Sequence, residues 1–199
     1  MIINSMKLKT KNNPNIFVVE TDEGDFELHS DIIVKNKIVK GVINDNIFYE
    51  SVQQSSEIIA FNLATKYISS RLKTEQQIKD YLYKKGYHAN TVNPVIQKLK
   101  DYSIIDDKMY ASSYIKANPN FSKNKLKAKL SQFGIKNDIY EDLLQEIDDF
   151  DACFSSAKKF LKNKDVDKQT IEKLSRRLAS QGYNWSTIKS VLNKFLEQD

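Results

Sequence analysis

The stretch Ile78-Lys79-Asp80-Tyr81-Leu82-Tyr83-Lys84-Lys85-Gly86-Tyr87 returns in pattern at Leu126 to Ile135 and at Leu174 to Tyr183. Its glycines, Gly86, Gly134 and Gly182, stand 48 residues apart. Around them the apolar positions repeat in step. Ile78, Leu126 and Leu174 lie eight residues before each glycine, and Leu82, Leu130 and Leu178 lie four before. Tyr87, Ile135 and Tyr183 follow directly, then Val92, Tyr140 and Ile188, Val95, Leu143 and Val191, Ile96, Leu144 and Leu192, and Leu99, Ile147 and Phe195. Apolar residues three and four apart on each side of a glycine mark the buried faces of two successive helices. The glycine fits a helix end that needs a left-handed residue.

Polar residues punctuate the same frame. Thr74, Ser122 and Thr170, and then Asn90, Asp138 and Ser186, sit where helices should start, and each can accept a hydrogen bond from a first-turn amide. Thr74 with Gln77 has the spacing of a capping box. On this register Pro94 falls in a first turn, where its missing N–H costs little. A third helix precedes each pair, over 57–70, 107–117 and 150–163. The chain therefore reads as three tandem three-helix repeats of about 48 residues, at 57–104, 105–149 and 150–199. Units this small bury little alone, so the expected architecture is mainly α, an elongated array of stacked repeats.

The first 56 residues differ. Ile16-Phe17-Val18-Val19 and Phe26-Glu27-Leu28 flank Thr21 to Asp25, with Gly24 in the turn, and predict a β-hairpin. Ser30-Asp31 caps a short helix through Lys35, Ile38 to Ile43 reads as a third strand, and Asn44 or Asp45 opens a helix through Gln53. Residues 1–56 are thus a small α+β N-terminal extension, too small to stand comfortably alone.

Charge is uneven. Residues 1–56 hold six lysines and eight acids, whereas residues 57–199 hold 25 basic and 18 acidic residues. The repeats therefore present a positive field suited to nucleic acid or an acidic protein surface. The basic side chains fall on the second helix of each unit and its flanks. They are Arg71, Lys73, Lys79, Lys84 and Lys85 in the first, Lys123, Lys125, Lys127 and Lys129 in the second, and Lys173, Arg176 and Arg177 in the third. The middle group forms a partner-facing surface on this reading. Ordinary helix solvation is the competing explanation.

Chemistry at a catalytic centre finds little support. The two histidines, His29 and His88, are far apart, and the single Cys153 sits among apolar helical positions as a buried thiol. There is no phosphate-binding GxxxxGK[ST] loop and no GxSxG elbow. Asp106-Asp107 and Asp148-Asp149-Phe150-Asp151 precede helices, where carboxylates cap free amides. No catalytic residue, cofactor or metal ligand is assigned. The start, MIINSMKLKTKNN, lacks a signal-peptide core, no apolar run nears the ~20 residues that cross a bilayer, and the lone cysteine needs no oxidising compartment. A cytoplasmic monomer with no membrane role is expected.

The ordered motifs resemble a known family. Thr65-Lys66-Tyr67-Ile68-Ser69-Ser70-Arg71-Leu72-Lys73-Thr74-Glu75, followed by the Ile78 to Tyr87 stretch, is similar to the signature of RecX regulatory proteins. Leu99, Ile105, Asp106, Asp107, Tyr110, Ala111 and Tyr114 match its second stretch, and Gly134-Ile135 with Ile139 its third. Ser70 stands for an arginine, and Ser103-Ile104 for Gly-Tyr. The resemblance covers residues 60–199. It implies a non-enzymatic array that lodges in the groove of a RecA–DNA filament and restrains ATP hydrolysis, strand exchange and co-protease activity in recombination, DNA repair and the SOS response. The implied partner is the RecA filament, with single- or double-stranded DNA as the other target of the basic faces. Two alternatives stand beside it. One is a helix-turn-helix DNA-binding regulator whose third helices read bases with Asn93, Gln97 and Lys98, with Glu141, Asp142 and Gln145, and with Lys189, Asn193 and Lys194. The other is a purely structural adaptor.

Overall fold

A computed structural model describes residues 1–11 and 13–196. The predicted third repeat, 150–199, thus ends outside the described residues. The chain forms two compact units, one of Met1–Lys73 with Gln77–Ile105, the other of Thr74–Gln76 with Asp106–Asp199.

The first unit opens with an antiparallel sheet of order β3-β2-β1-β4, from β1 (Ile2–Thr10), β2 (Asn13–Thr21), β3 (Asp25–His29) and β4 (Gly41–Val42). The expected hairpin is β2–β3, with Ile16 opposite His29 and Glu20 opposite Asp25. Its turn closes through the Thr21 amide and hydroxyl, both donating to the Gly24 carbonyl. Strand β1 was not expected. Lys7 and Lys9 alternate there with Met6 and Leu8, and they pair across the sheet with Glu20 and Glu27, so the lysines belong to a strand face. The third strand is shorter than predicted, two residues pairing with Ile2 and Ile3. Helix α1 (Ser30–Lys35) falls as expected, but its cap is His29, whose Nδ1 accepts from the Asp31 amide.

Helix α2 (Asp45–Ile68) corrects the sequence reading more substantially. Two helices, to 53 and from 57, are one uninterrupted helix capped by Asn44. Its buried residues face two different cores. Phe48 packs with Ile3, Val19, Leu28 and Ile38 under the sheet. Ala60 and Ala64 pack with Ile78, Leu82, Val92, Val95, Ile96 and Leu99 from α3 (Glu75–Lys84) and α4 (Ala89–Asp101). A helix serving two cores spreads its apolar residues around the axis, which hides its continuity in the periodicity.

Pro94 is also placed differently. Helix α4 starts after His88, so Pro94 lies beyond the first turn, and the Asn90 carbonyl four residues back loses its helical partner. Gln53 repairs this. Its Nε2 donates to that carbonyl at 3.0 Å, while the Asn90 side-chain amide donates to Gln53 Oε1 at 2.9 Å. Asn90 is thus a bridge to α2, not a cap.

The second unit contains two helical triplets. Helices α5 (Asp107–Ala117), α6 (Lys123–Gln132) and α7 (Asn137–Gln145) enclose Ala111, Leu126, Leu130, Ile135, Tyr140 and Leu144. Helices α8 (Asp149–Leu161), α9 (Lys168–Ser180) and α10 (Trp185–Leu196) enclose Cys153, Ala157, Leu174, Leu178, Tyr183, Ile188, Val191 and Leu192. Together with α2–α4 these are the three tandem repeats, and the protein is mainly α with a small N-terminal sheet.

All three repeat glycines hold positive φ, 90° at Gly86, 78° at Gly134 and 89° at Gly182. In each, the amide of the following apolar residue donates back to the leucine carbonyl, Tyr87 to Leu82, Ile135 to Leu130 and Tyr183 to Leu178. That is the Schellman closure, with its apolar residue tucked inward. Among the expected caps, Ser122 accepts from the Lys125 amide. Thr170 and Ser186 are displaced by Asp167 and Asn184, whose side chains accept from Thr170 and Thr187. Asp138 lies in the first turn of α7, which starts after Lys136.

Candidate functional site

The carboxylate clusters are capping groups. Asp106 Oδ1 accepts from the Met109 amide, and Asp148 Oδ1 accepts from Phe150 and Asp151. Asp149 reaches sideways to accept from the Lys123 amide at 2.8 Å, and Asp107 accepts from the Glu75 amide at 2.9 Å. Among the described residues no group of three His, Cys, Asp or Glu is arranged to hold a metal. Cys153 is buried, and burial, then the Asp149 charge, push its thiol up to about 11, so it stays protonated and unreactive at neutral pH.

The basic side chains are not equivalent. In the first unit Arg71, Lys84 and Lys85 are exposed and Lys79 is half-buried. Lys73 is 8% exposed, with its ammonium 4.3 Å from the centre of the Tyr67 ring. Tyr67 in turn stacks on Tyr81 at 4.2 Å, and Lys85 lies 5.7 Å from the Tyr81 ring. Lys73 and Lys85 thus flank a tyrosine pair, and Lys73 serves packing instead of a partner.

The middle group divides the same way. Lys125, expected on a partner-facing surface, lies over Phe121 at 4.3 Å and donates to the Ser180 carbonyl at the end of α9. Beside it the Ser122 hydroxyl donates to the Gly182 carbonyl at 2.7 Å, and the Ser122 amide donates to the Gln181 carbonyl at 3.0 Å. These contacts join the two triplets of the second unit. Within the same unit, Thr74 repeats the Ser122 contact, its hydroxyl donating to the Phe133 carbonyl at 2.7 Å. Lys123 is tied down through its amide, and its Nζ lies 3.4 Å from the Gln145 carbonyl. Lys129 donates to Gln132. Only Lys127 of the four is fully exposed, at the rim of a 220 Å³ cleft shared with Tyr140, Glu141 and Leu144.

This division is testable. Lys125→Glu should lower thermal stability by about 1–2 kcal/mol, the scale of a hydrogen bond from a charged donor. Lys127→Glu should stay within about 0.5 kcal/mol. Circular dichroism melts of both variants check this, and equal melts would return Lys125 to the free surface.

In the third repeat Lys173, Arg176 and Arg177 are all exposed. Arg176 lies 3.8 Å from Glu172. Arg177 and Lys164 approach the Phe160 ring at 5.8 and 3.5 Å. Sequence reasoning passed over Trp185, which is 65% exposed at the start of α10. The available signal was its position three residues after Gly182, where the other repeats place Ala89 and Asn137.

The class is now defined: a tandem three-helix-repeat protein of helix-turn-helix outline. A family model described as the first three-helix domain of RecX matches residues 60–99. "Regulatory protein RecX" of Clostridium perfringens strain 13 is 30% identical, with 99% of this chain and 97% of that protein covered. The protein of the same name from Clostridium tetani is 31% identical, over 99% and 95%. Among solved structures, a regulatory protein RecX aligns over 96% of this chain and 98% of its own, with TM-score 0.65 and 19% identity. RecX from Lactobacillus salivarius aligns over 70% and 96%, with TM-score 0.58 and 24% identity. The chain belongs to the RecX family of regulatory proteins. Among the described residues no helix is long and apolar enough to cross a membrane.

Proposed function

We propose that this chain binds the RecA–DNA nucleoprotein filament and restrains it, lowering ATP hydrolysis, strand exchange and co-protease activity without catalysing a reaction. The observation that carries this reading is the full-length match to regulatory RecX proteins at 31% identity. Three tandem repeats, divided at 57–104, 105–149 and 150–199 after an extension over 1–56, supply a series of similar faces for a partner that is itself repetitive. Occupying a groove shared by successive protomers obstructs incoming duplex or repressor by volume alone. The exposed cations Arg71, Lys84, Lys85, Lys127, Lys173, Arg176 and Arg177 guide association with acidic RecA surface or bound DNA. The protein acts in the cytoplasm as a monomer.

A helix-turn-helix regulator acting directly on duplex DNA is the less supported reading, because the outer face of α7 carries Glu141 and Asp142, which repel phosphate.

The test is ATP hydrolysis by the cognate RecA on single-stranded DNA, titrated with this protein at two salt concentrations. Inhibition that weakens with salt is expected. Unchanged hydrolysis at saturating protein would sink the filament reading.

A further inference from the structure

Trp185 is the chain's one tryptophan, and it faces solvent. The core of its repeat is filled without it, by Tyr183 before it and by Ile188, Val191 and Leu192 further along α10. Tryptophan offers a large apolar area, and a ring left out of an available core forgoes that stabilisation. Lys189, one turn on, and Asn193, a further turn on, are also exposed and lie along the same flank of the helix. Helix α10 carries Lys189 and Lys194 and no acidic residue. Residues 150–199 hold ten lysines and arginines against six acids, an excess of four that residues 57–104 match, whereas residues 105–149 hold seven against eight. The exposed indole therefore stands on a repeat of net positive charge.

We propose that this flank of α10 is a stacking platform for single-stranded nucleic acid. An unpaired base lies on the face of Trp185, Lys189 meets the neighbouring phosphate, and Asn193 offers donor and acceptor groups to a base edge. A flat π surface beside cations is the combination that holds single strands, because every base has a face to stack and every nucleotide carries a charge. A duplex keeps its bases stacked on each other and leaves such a ring without a partner. A protein partner would bury an indole most favourably among apolar neighbours, whereas the exposed residues beside Trp185 are Ser186, Lys189 and Asn193. The assignment is independent of the filament reading, since it concerns binding by this chain alone, and unchanged RecA hydrolysis leaves it standing.

Because Trp185 is the only tryptophan, its emission reports on this face directly. The full-length protein titrated with oligothymidylate should show saturable quenching that weakens as salt rises. In anisotropy measurements with a labelled oligonucleotide, Trp185→Ala should bind about tenfold more weakly with an unchanged far-UV spectrum, since base–aromatic stacking is commonly worth that much or more. Lys189→Glu should bind more weakly and flatten the salt dependence. The proposal is overturned by no binding at low salt, by binding with tryptophan emission unchanged, or by equal affinity for Trp185→Ala. Quenching by polyglutamate and not by oligothymidylate would also overturn it, and would assign the face to a protein.

Discussion

Gly182→Ala is expected to destabilise the protein by about 2–4 kcal/mol, well beyond the same change at Gly86. Both glycines end the middle helix of a repeat with φ near +90°, where an alanine pays about 1–2 kcal/mol of backbone strain. At Gly86 a Cβ meets nothing within 4 Å, so strain is the whole effect. At Gly182 the added carbon would stand 2.6 Å from Lys125 Cβ and 2.7 Å from Ser122 Oγ. The same two side chains form the hydrogen-bonded joint between the two triplets, through Ser122 Oγ to the Gly182 carbonyl and Lys125 Nζ to the Ser180 carbonyl, so they cannot retreat without losing it. Gly134 belongs with Gly182, because its Cβ would meet the Gln76 side chain. Melting curves of Gly86→Ala and Gly182→Ala by far-UV circular dichroism distinguish the cases. Equal losses would mean that the joint yields freely.

Leu178→Ala carries the second large effect. Leu178 has no exposed surface and sits among Cys153, Ala157, Leu174 and Ile188. Truncation removes its transfer energy and leaves a cavity, a loss of about 2–5 kcal/mol. Leu130, in the same place one repeat earlier, is equally buried and should behave alike. Leu196, 54% exposed at the last described turn of α10, should change by less than about 0.5 kcal/mol. Urea unfolding separates these, with the midpoint moving and the slope unchanged. A midpoint for Leu178→Ala equal to that of Leu196→Ala would contradict the repeat packing.

What could be read in advance follows from how local each signal is. The glycine spacing and the apolar residues eight and four before each glycine are local periodicities, and all six of those residues are buried. The hairpin turn at Gly24 and the carboxylate caps Asp106 and Asp148 are local as well, set by one turn's free amides. Strand β1 escaped because its evidence is non-local: Lys7 and Lys9 make sense only beside Glu20 and Glu27. Helix α2 escaped because its two halves answer to different cores. The caps of α9 and α10 slipped by three and two residues because a nearby Asp167 or Asn184 could accept the same amides, whereas α4 and α7 start two residues early with no side-chain cap.

The candidate surface shows the same division more sharply. By itself the sequence determined the repeat, its helical composition, the family, and which side chains carry positive charge. It could not determine which of those charges are accessible. Lys125 and Lys127 are two residues apart on one helix, yet one is spent on the Ser180 carbonyl and the other faces water. Lys73 looks like its neighbours in composition and is covered by packing against Tyr67. Only the tertiary structure decided this, because a long side chain's free energy depends on the ring or carbonyl it reaches, and that partner can lie more than fifty residues away, as Ser180 does from Lys125. The same reason hid Trp185: a core already filled by Tyr183, Ile188, Val191 and Leu192 turns the one tryptophan outward.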